Sequence, residues 1–406
     1  MRRDLLINAA GIGVGQLVVL LATPFLARIY SPSEFGQYAV LSAAAGVIAT
    51  ISSLRFDAAL PAVSDDHVRP LFHIALALPF VVCFGLVAVV GILSAKVDVF
   101  ATMLVVPLPW IAAVATLLGA ANVCQASFTR SGKFKYVAIL KIVQPVIFAA
   151  TAFATVIGLN GALAISWLVV MLFALWGCRM MVRAFDFRRT WAAVKDARNY
   201  PLLSVPMALL DAASLALPLL FIASTFGNES AGNYSQVQRL LAAPLLLLGV
   251  AVGQVFYKHA GGLHRSGHDV TSLMWKVVRY LLGLAVLLVL MILLVGEPIL
   301  VLLLGKGWRT DLQFLLLAVA PVMFRMVVSP VSCIFLITNR LGLLSAWQAT
   351  YFVVTVSVIL LARDQLNLER YLLVLSLAEL AMYSLYLTLA VTAARTDRSV
   401  VAVKIS

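Results

Sequence analysis

Charge is scarce in this chain. Of its 406 residues only 12% are Asp, Glu, Lys or Arg, against 63% that are hydrophobic, which leaves no polar shell for a soluble globule of this size and places the chain among polytopic membrane proteins. Long polar stretches are lacking too. The longest insert between apolar runs, residues 183–201, is too short to fold alone, so any chemistry belongs to a helix bundle or its surfaces. Cysteine is sparse: Cys83, Cys124, Cys178 and Cys333 stand singly within apolar runs, which excludes a thiolate metal site or disulfide framework and leaves them as small packing residues. No phosphate-cradling loop is present, because Gly305, Lys306 and Gly307 lack the required spacing and the following Ser or Thr. Energy for any transport is therefore left to an ion gradient, a lipid gradient or the substrate itself. His259, His264 and His268 beside Asp269 read as solvated histidines of a glycine-rich loop, not as a metal site.

What the chain has in abundance is apolar runs of roughly 20 residues, the length of a helix that crosses a bilayer. About twelve can be drawn, at 5–27, 37–60, 71–93, 99–121, 137–159, 162–182, 202–226, 235–257, 273–295, 312–337, 341–361 and 371–393. The expected fold is an all-α integral membrane protein. Met1, Arg2 and Arg3 precede the first run as they would in a signal peptide. That run is long, carries Gly11, Gly13, Gly15 and Gln16, and lacks a small-residue cleavage site, so it is expected to be a retained first helix. Lys and Arg concentrate on alternate loops, most densely at Arg179, Arg183, Arg188, Arg189, Lys195 and Arg198, which predicts that both termini are cytoplasmic. The formal net charge of +13 borders the spans, pointing to topology and contact with anionic membrane lipids, not to nucleic acid.

The two halves echo each other. Pro24, then a polar turn with Glu34, then Gly36 and Tyr38 after the first run echo Pro218, a polar turn with Glu229, and Gly232 and Tyr234 after the seventh, at an offset of roughly 195 residues. In each half a polar turn is expected, with Gly-x-Tyr opening the next helix. A second echo pairs Thr129, Arg130, Ser131, Gly132 and Lys133 with Thr338, Asn339, Arg340, Leu341 and Gly342. Six spans return the chain to the same face, so the predicted organisation is two parallel six-helix lobes, 1–182 and 201–406, joined by a basic cytoplasmic linker at 183–200. Arg and Lys mixed with Phe185, Phe187 and Trp191 suit a linker helix lying in the interface. Residues 300–304, between Pro298 and Gly305, are expected to form a brief interfacial element.

Arg55, Arg239 and Arg325 fall inside the apolar runs, where each charge costs about 2.5–3.5 kcal/mol even on the lenient insertion scale. Guanidinium forks match phosphate oxygens bidentately, so these three are candidates to line a path for an anionic lipid diphosphate. Simpler roles stay open: Arg239 snorkelling outward, Arg55 pairing with Asp57 or reaching the inner interface. Lys141, one turn into the fifth run, reads as an interface anchor. Asp57, Asp211 and Glu379 are carboxylates in the same setting. Asp211, near the middle of the seventh run, is the first candidate to carry a coupling H+ or Na+, with charge pairing to an arginine such as Arg325 as the alternative.

The segment Pro24 to Tyr38, the run Leu54, Arg55, Phe56, Asp57, Ala58, Ala59, Leu60, Pro61, and Tyr200, Pro201, Pro218, Gly232, Tyr234, Arg239, Pro244, Gly253 and Gln254 occur in an order that resembles the polysaccharide-biosynthesis membrane proteins, the Wzx-type flippases of the multidrug/oligosaccharidyl-lipid/polysaccharide superfamily. The resemblance covers nearly the whole chain. It implies two lobes around a positively charged cavity that opens alternately to either side of a bacterial inner membrane. The implied cargo is an undecaprenyl-diphosphate-linked oligosaccharide of O-antigen, exopolysaccharide or capsule. It implies a transporter without cofactor, with glycan polymerase and other polysaccharide-assembly proteins as partners. Arg55 matches a cationic position near the end of the second helix, Asp211 lies on the helix whose carboxylates the family implicates in coupling, and Arg239 follows Gly-x-Tyr as a basic residue often does there. The rival readings are an ion-coupled multidrug exporter, whose cationic cargo favours acidic walls, and a membrane glycosyltransferase, polymerase or ligase, which needs a large extramembrane loop. A purely structural scaffold would not need buried arginines.

The charge asymmetry predicts that residues 31–34 and 228–233 face the outside, with 183–198 inside. In a Cys-free background, a cysteine at Ser230 is expected to react with an impermeant maleimide added to intact cells; reaction only after the inner face is opened would reverse the topology.

Overall fold

The computed structural model describes residues 2–94, 107–179, 187–266, 268–363 and 366–405. For residues 2–9, 90–94, 187–188, 242–248, 250–251 and 396–405 the description is of backbone only. All regular elements among the described residues are helical, the arrangement that lets an apolar segment satisfy its backbone donors and acceptors without water. The chain divides into two compact units, Met1–Gly232 and Asn233–Ser406.

In the first unit the helices are α1 (Arg2–Ile29), α2 (Pro32–Ser52), α3 (Phe56–Ala59), α4 (Asp65–Ser94), α5 (Leu108–Arg130), α6 (Phe134–Phe153), α7 (Gly158–Gly177) and α8 (Phe187–Asp196). A π-helical turn, Tyr200–Ser204, leads into α9 (Val205–Val237), which runs on into the second unit. After a second π-helical turn, Gln238–Ala242, come α10 (Ala243–Arg265), α11 (Thr271–Leu304), α12 (Leu312–Val328), α13 (Ile334–Ile337), α14 (Leu341–Ala362) and α15 (Leu368–Ile405). Eleven stretches among the described residues are long and apolar enough to cross a membrane. One of them, Tyr200–Leu241, joins the predicted seventh run to the start of the eighth. The start of the predicted fourth run, at 99, lies outside the described residues.

Local chemistry explains the helix ends, and it corrects several expectations. The polar turn expected at 31–34 is already helix. Ser31 and Glu34 form a capping box, with the Ser31 N–H donating to Glu34 Oε2 at 2.8 Å and the Glu34 N–H to Ser31 Oγ at 3.3 Å, and Pro32 occupies the first turn. The turn expected at 228–233 likewise shrinks to one residue, Gly227, at φ 86° and ψ 165°. Gly36 and Gly232 therefore sit within helices. There each removes a clash: a Cβ on Gly36 would strike the Asn228 carbonyl, and one on Gly232 the Pro32 carbonyl. The contact is reciprocal under the internal repeat, since Pro32 corresponds to Asn228 as Gly36 does to Gly232. Between helices in lipid, close packing drives association, which is why small residues mark the crossing.

The second echo holds in a shifted register. Gly132 at φ 68° and Asn339 at φ 54° are the equivalent left-handed residues. Behind them the Lys133 N–H bonds the Phe128 carbonyl at 2.8 Å and the Arg340 N–H the Phe335 carbonyl at 2.7 Å, the same helix-ending turn twice. Residues 300–304, expected as a separate interfacial piece, instead continue α11 through Pro298 to the cap at Gly305, with Leu300 and Leu304 buried. The second predicted run, to 60, also breaks early: α2 stops at Ser52, and Leu54 and Arg55 turn left-handed.

Linker residues 183–186 lie outside the described residues. The following helix α8 packs Ala193, and Ala197 just past its end, into the core built by Phe72, Phe128, Leu60 and Leu71, while Trp191 is exposed. His67 Nδ1 meets Asp196 at 3.1 Å beside it. In the second unit, Asp311 caps α12 by accepting from the Phe314 N–H at 3.1 Å and from Arg309 at 2.6 Å. Arg309 also reaches Glu369 at 2.5 Å and lies over the Phe314 ring. Burial alone would raise the Asp311 pKa, but the bonds from Arg309 and Phe314 outweigh it and hold the carboxyl below its ordinary range.

The helix crossing predicts that Gly36→Ala lowers the thermal midpoint of the purified protein, by overpacking worth about 1–3 kcal/mol. Gly46→Ala on the same helix, where nothing lies within 4 Å of the added methyl, is expected to leave it unchanged or raise it by up to about 1 kcal/mol. Equal midpoints for the two variants would contradict the crossing.

Candidate functional site

The sequence candidates fall into separate settings. Arg55 stands in the left-handed turn after α2, outside any helix interior, at φ 60°. Its Nη1 lies 3.9 Å from Asp57 Oδ2, and Asp57 also accepts from the Ser53 hydroxyl at 2.7 Å. Two successive non-glycine residues with positive φ cost about 1–3 kcal/mol each. The local ion pair and the Ser53 bond help hold the turn. The pair is long, and Arg55 Nε is buried without a hydrogen-bond partner, so the guanidinium retains donor capacity. Asp211 lies on the first turns of the membrane-crossing α9 and is exposed.

In the second unit, Arg325 on α12 and Glu379 on α15 come together at 3.9 Å. Phenols mediate the pair. Arg325 Nε donates to Tyr383 Oη at 3.0 Å and Nη2 to Tyr351 Oη at 3.5 Å, while the Tyr351 hydroxyl donates to Glu379 Oε1 at 2.6 Å. Glu379 is 3% exposed and its Oε2 has no hydrogen-bond partner. Arg325 keeps 25% of its side chain accessible. Aromatic packing fixes the phenols: Trp347 stacks on Tyr351 at 5.1 Å, Tyr386 meets Trp347 edge-on at 4.6 Å, and Trp347 Nε1 donates to the Met382 carbonyl at 2.9 Å. Tyr351, Tyr383, Trp347 and Tyr386 were not singled out in the sequence. Their signal is helical spacing, since Trp347 precedes Tyr351 by one turn and Glu379 precedes Tyr383 by one turn. Arg239, half-buried, lies on the π-helical turn Gln238–Ala242, a distortion that recurs at functional sites.

This arrangement offers an anion a fixed guanidinium whose nearest carboxylate is at the limit of ion pairing. The phenols hold the fork in orientation whether or not Glu379 is engaged.

At low identity, solved transporter structures share this fold. A multidrug resistance MATE family transporter of the MOP superfamily, in an inward-facing conformation, aligns with a TM-score of 0.58 and 14% identity over 97% of this chain and 94% of that one. A eukaryotic MATE transporter gives 0.57 and 12% over 98% of each chain. A MOP superfamily transporter from Pyrococcus furiosus, whose binding pocket has reversed polarity, gives 0.55 and 12% over 97% and 96%. No curated protein sequence matches significantly. Residues 25–313, from the last turns of α1 to the start of α12, match the family of polysaccharide biosynthesis proteins, and over a stretch of that length the match makes this chain a member of that family.

Proposed function

We propose that this chain is a flippase that carries a polyprenyl-diphosphate-linked oligosaccharide across the inner membrane of a bacterium by alternating access of two six-helix lobes, 1–182 and 201–406. The observation that carries the reading is Arg325, a guanidinium within a membrane-crossing helix, held by two phenols and 3.9 Å from its carboxylate. A large polar glycan cannot enter hydrocarbon without losing the hydrogen bonds of its hydroxyls to water. A protein-lined wet path removes that barrier while the polyprenyl tail stays in lipid. Arg325, Arg55 and Arg239 hold the diphosphate along the way. Asp211 carries the coupling H+ or Na+, with Asp57 and Glu379 as the further carboxylates; glycan polymerase and other assembly proteins work beside it, and both termini face the cytoplasm. A multidrug exporter is the second reading, favoured by the fold shared with MATE transporters and by the buried carboxylate Glu379.

In a strain lacking the native gene, Arg325→Ala at native expression is expected to lower surface glycan at least about tenfold, the scale of one lost charged hydrogen bond. Arg55→Ala is expected to fall in the same direction. Arg325→Lys is expected to recover part of the activity, since the point charge survives and the fork does not. Asp211→Asn is expected to abolish stimulation by an imposed ion gradient in proteoliposomes while substrate binding persists. Normal glycan from both alanine variants would reduce the arginines to structural roles, and full gradient stimulation of Asp211→Asn would move coupling to Glu379 or Asp57.

A further inference from the structure

A half-open pocket of about 390 Å³ lies in the first unit, walled by α1, α5, α6 and α7. Its lining on α1 is Ile12, Gly15, Gln16 and Val19, and on α5 Leu118, Ala121, Asn122 and Gln125, in each case the spacing of one helix face. Gly15 allows the close approach that closes it, for a Cβ there would strike the Lys141 carbonyl of α6. The size falls in the ~300–1,000 Å³ range of small-molecule sites. The wall chemistry is unusual for an apolar bundle: Gln16, Asn122, Gln125, Gln144, Lys141 and Trp167 line one space, and among the described residues no carboxylate joins them.

Four of these groups, the exposed Gln16 and the half-buried Asn122, Gln125 and Lys141, are left open by the protein. Among the described residues, no hydrogen bond engages the side-chain amides of Gln16, Asn122 or Gln125, and no ion pair engages Lys141. Gln144 is oriented by the bond from its Nε2 to Ser166 Oγ at 3.2 Å. The polar atoms of the four open onto the pocket and not into the packed core, so an entering solute meets free donors and acceptors beside a cation whose lack of a counter-charge is costly within a membrane. An interface anchor accounts for the lysine but not for the amides that surround it.

A solute that matches this wall is anionic and offers several donors and acceptors. A diphosphate fits poorly: it carries more charge than one ammonium balances, and the bidentate guanidinium that suits it is absent here. Amides present a donor and an acceptor side by side, the complement of neighbouring hydroxyls, and the indole of Trp167 supplies an apolar face with a polar tip. We propose that this cavity binds one acidic, hydroxyl-rich sugar of the translocated glycan, its carboxylate on Lys141 and its hydroxyls on Gln16, Asn122, Gln125 and Gln144. The assignment rests on the flippase reading and adds to it a site that selects the saccharide, separate from the residues that hold the diphosphate.

The test is tryptophan fluorescence of the full chain in detergent, titrated with sodium glucuronate, glucose and sodium pyrophosphate at matched ionic strength, with Trp167→Phe identifying the reporting indole. Glucuronate is expected to give a saturable change that is absent in Trp167→Phe, and to bind at least about tenfold more tightly than glucose. Lys141→Gln and Asn122→Leu are each expected to weaken it about tenfold or more. Lys141→Arg, which keeps the charge, is expected to stay within about threefold of wild type, and Gly46→Ala serves as a folded control. Absence of any saturable signal, equal affinity for glucose and glucuronate, or unchanged binding in Lys141→Gln with wild-type thermal stability would overturn the site. Tighter binding of pyrophosphate would make the cavity a diphosphate seat and overturn the sugar assignment. None of these outcomes touches the flippase reading, which stands or falls on glycan export by the wild-type chain.

Discussion

The hydrocarbon of a bilayer offers no water, so every polar group placed there must find its partner within the protein. Most features of this chain follow from that constraint. Backbone groups are satisfied by helices, and where helices stop the substitutes are visible: the Ser31–Glu34 capping box, the Asp311 cap of α12, and the paired turns at Gly132 and Asn339. Side chains obey the same accounting. Arg325 is surrounded by two tyrosine hydroxyls and a glutamate, and those tyrosines are in turn fixed by Trp347 and Tyr386. Arg55 is allowed by a turn that leaves the helix and by Asp57 beside it. Glu379 Oε2 and Arg55 Nε stay buried without a hydrogen-bond partner, whereas Lys141 and the amides near it open onto a pocket.

The same solvent removes the usual force between helices, because lipid tails are as apolar as leucine. Surfaces that meet must then do so by close packing. Gly11 against Ala138, Gly15 against Lys141 and the reciprocal pair of Gly36 and Gly232 are the places where backbones approach. The Gly15 contact places Gln16 in the pocket that Lys141 also lines.

Much of this was legible in the sequence. Apolar runs gave the helices their approximate places, because a twenty-residue apolar segment has few alternatives in lipid. The internal echo was visible in Gly36 and Gly232, although their role was not: sequence suggests a glycine for a turn, and only coordinates reveal a glycine that clears a neighbouring carbonyl. The shifted register between Gly132 and Asn339 escaped for a related reason, as Asn can take the left-handed conformation that Gly adopts freely. Arg325 and Glu379 announced themselves by being charged in apolar runs, but their meeting depends on the packing of α12 on α15. The phenols and the amide-lined cavity escaped because Tyr, Gln and Asn in a span are less conspicuous than a charge. Pro298 looked like a boundary and is not one, for a helix in a bundle tolerates the lost bond.

The central claim is that the chain moves a lipid diphosphate carrying a glycan. The most direct measurement is transbilayer movement, in proteoliposomes of the purified protein, of a fluorescent polyprenyl-diphosphate oligosaccharide compared with the monophosphate-linked form and a cationic drug. The account predicts rapid movement of the diphosphate-linked glycan, slower movement of the monophosphate form, and none of the drug. Transport of the drug with no movement of the glycan would contradict it.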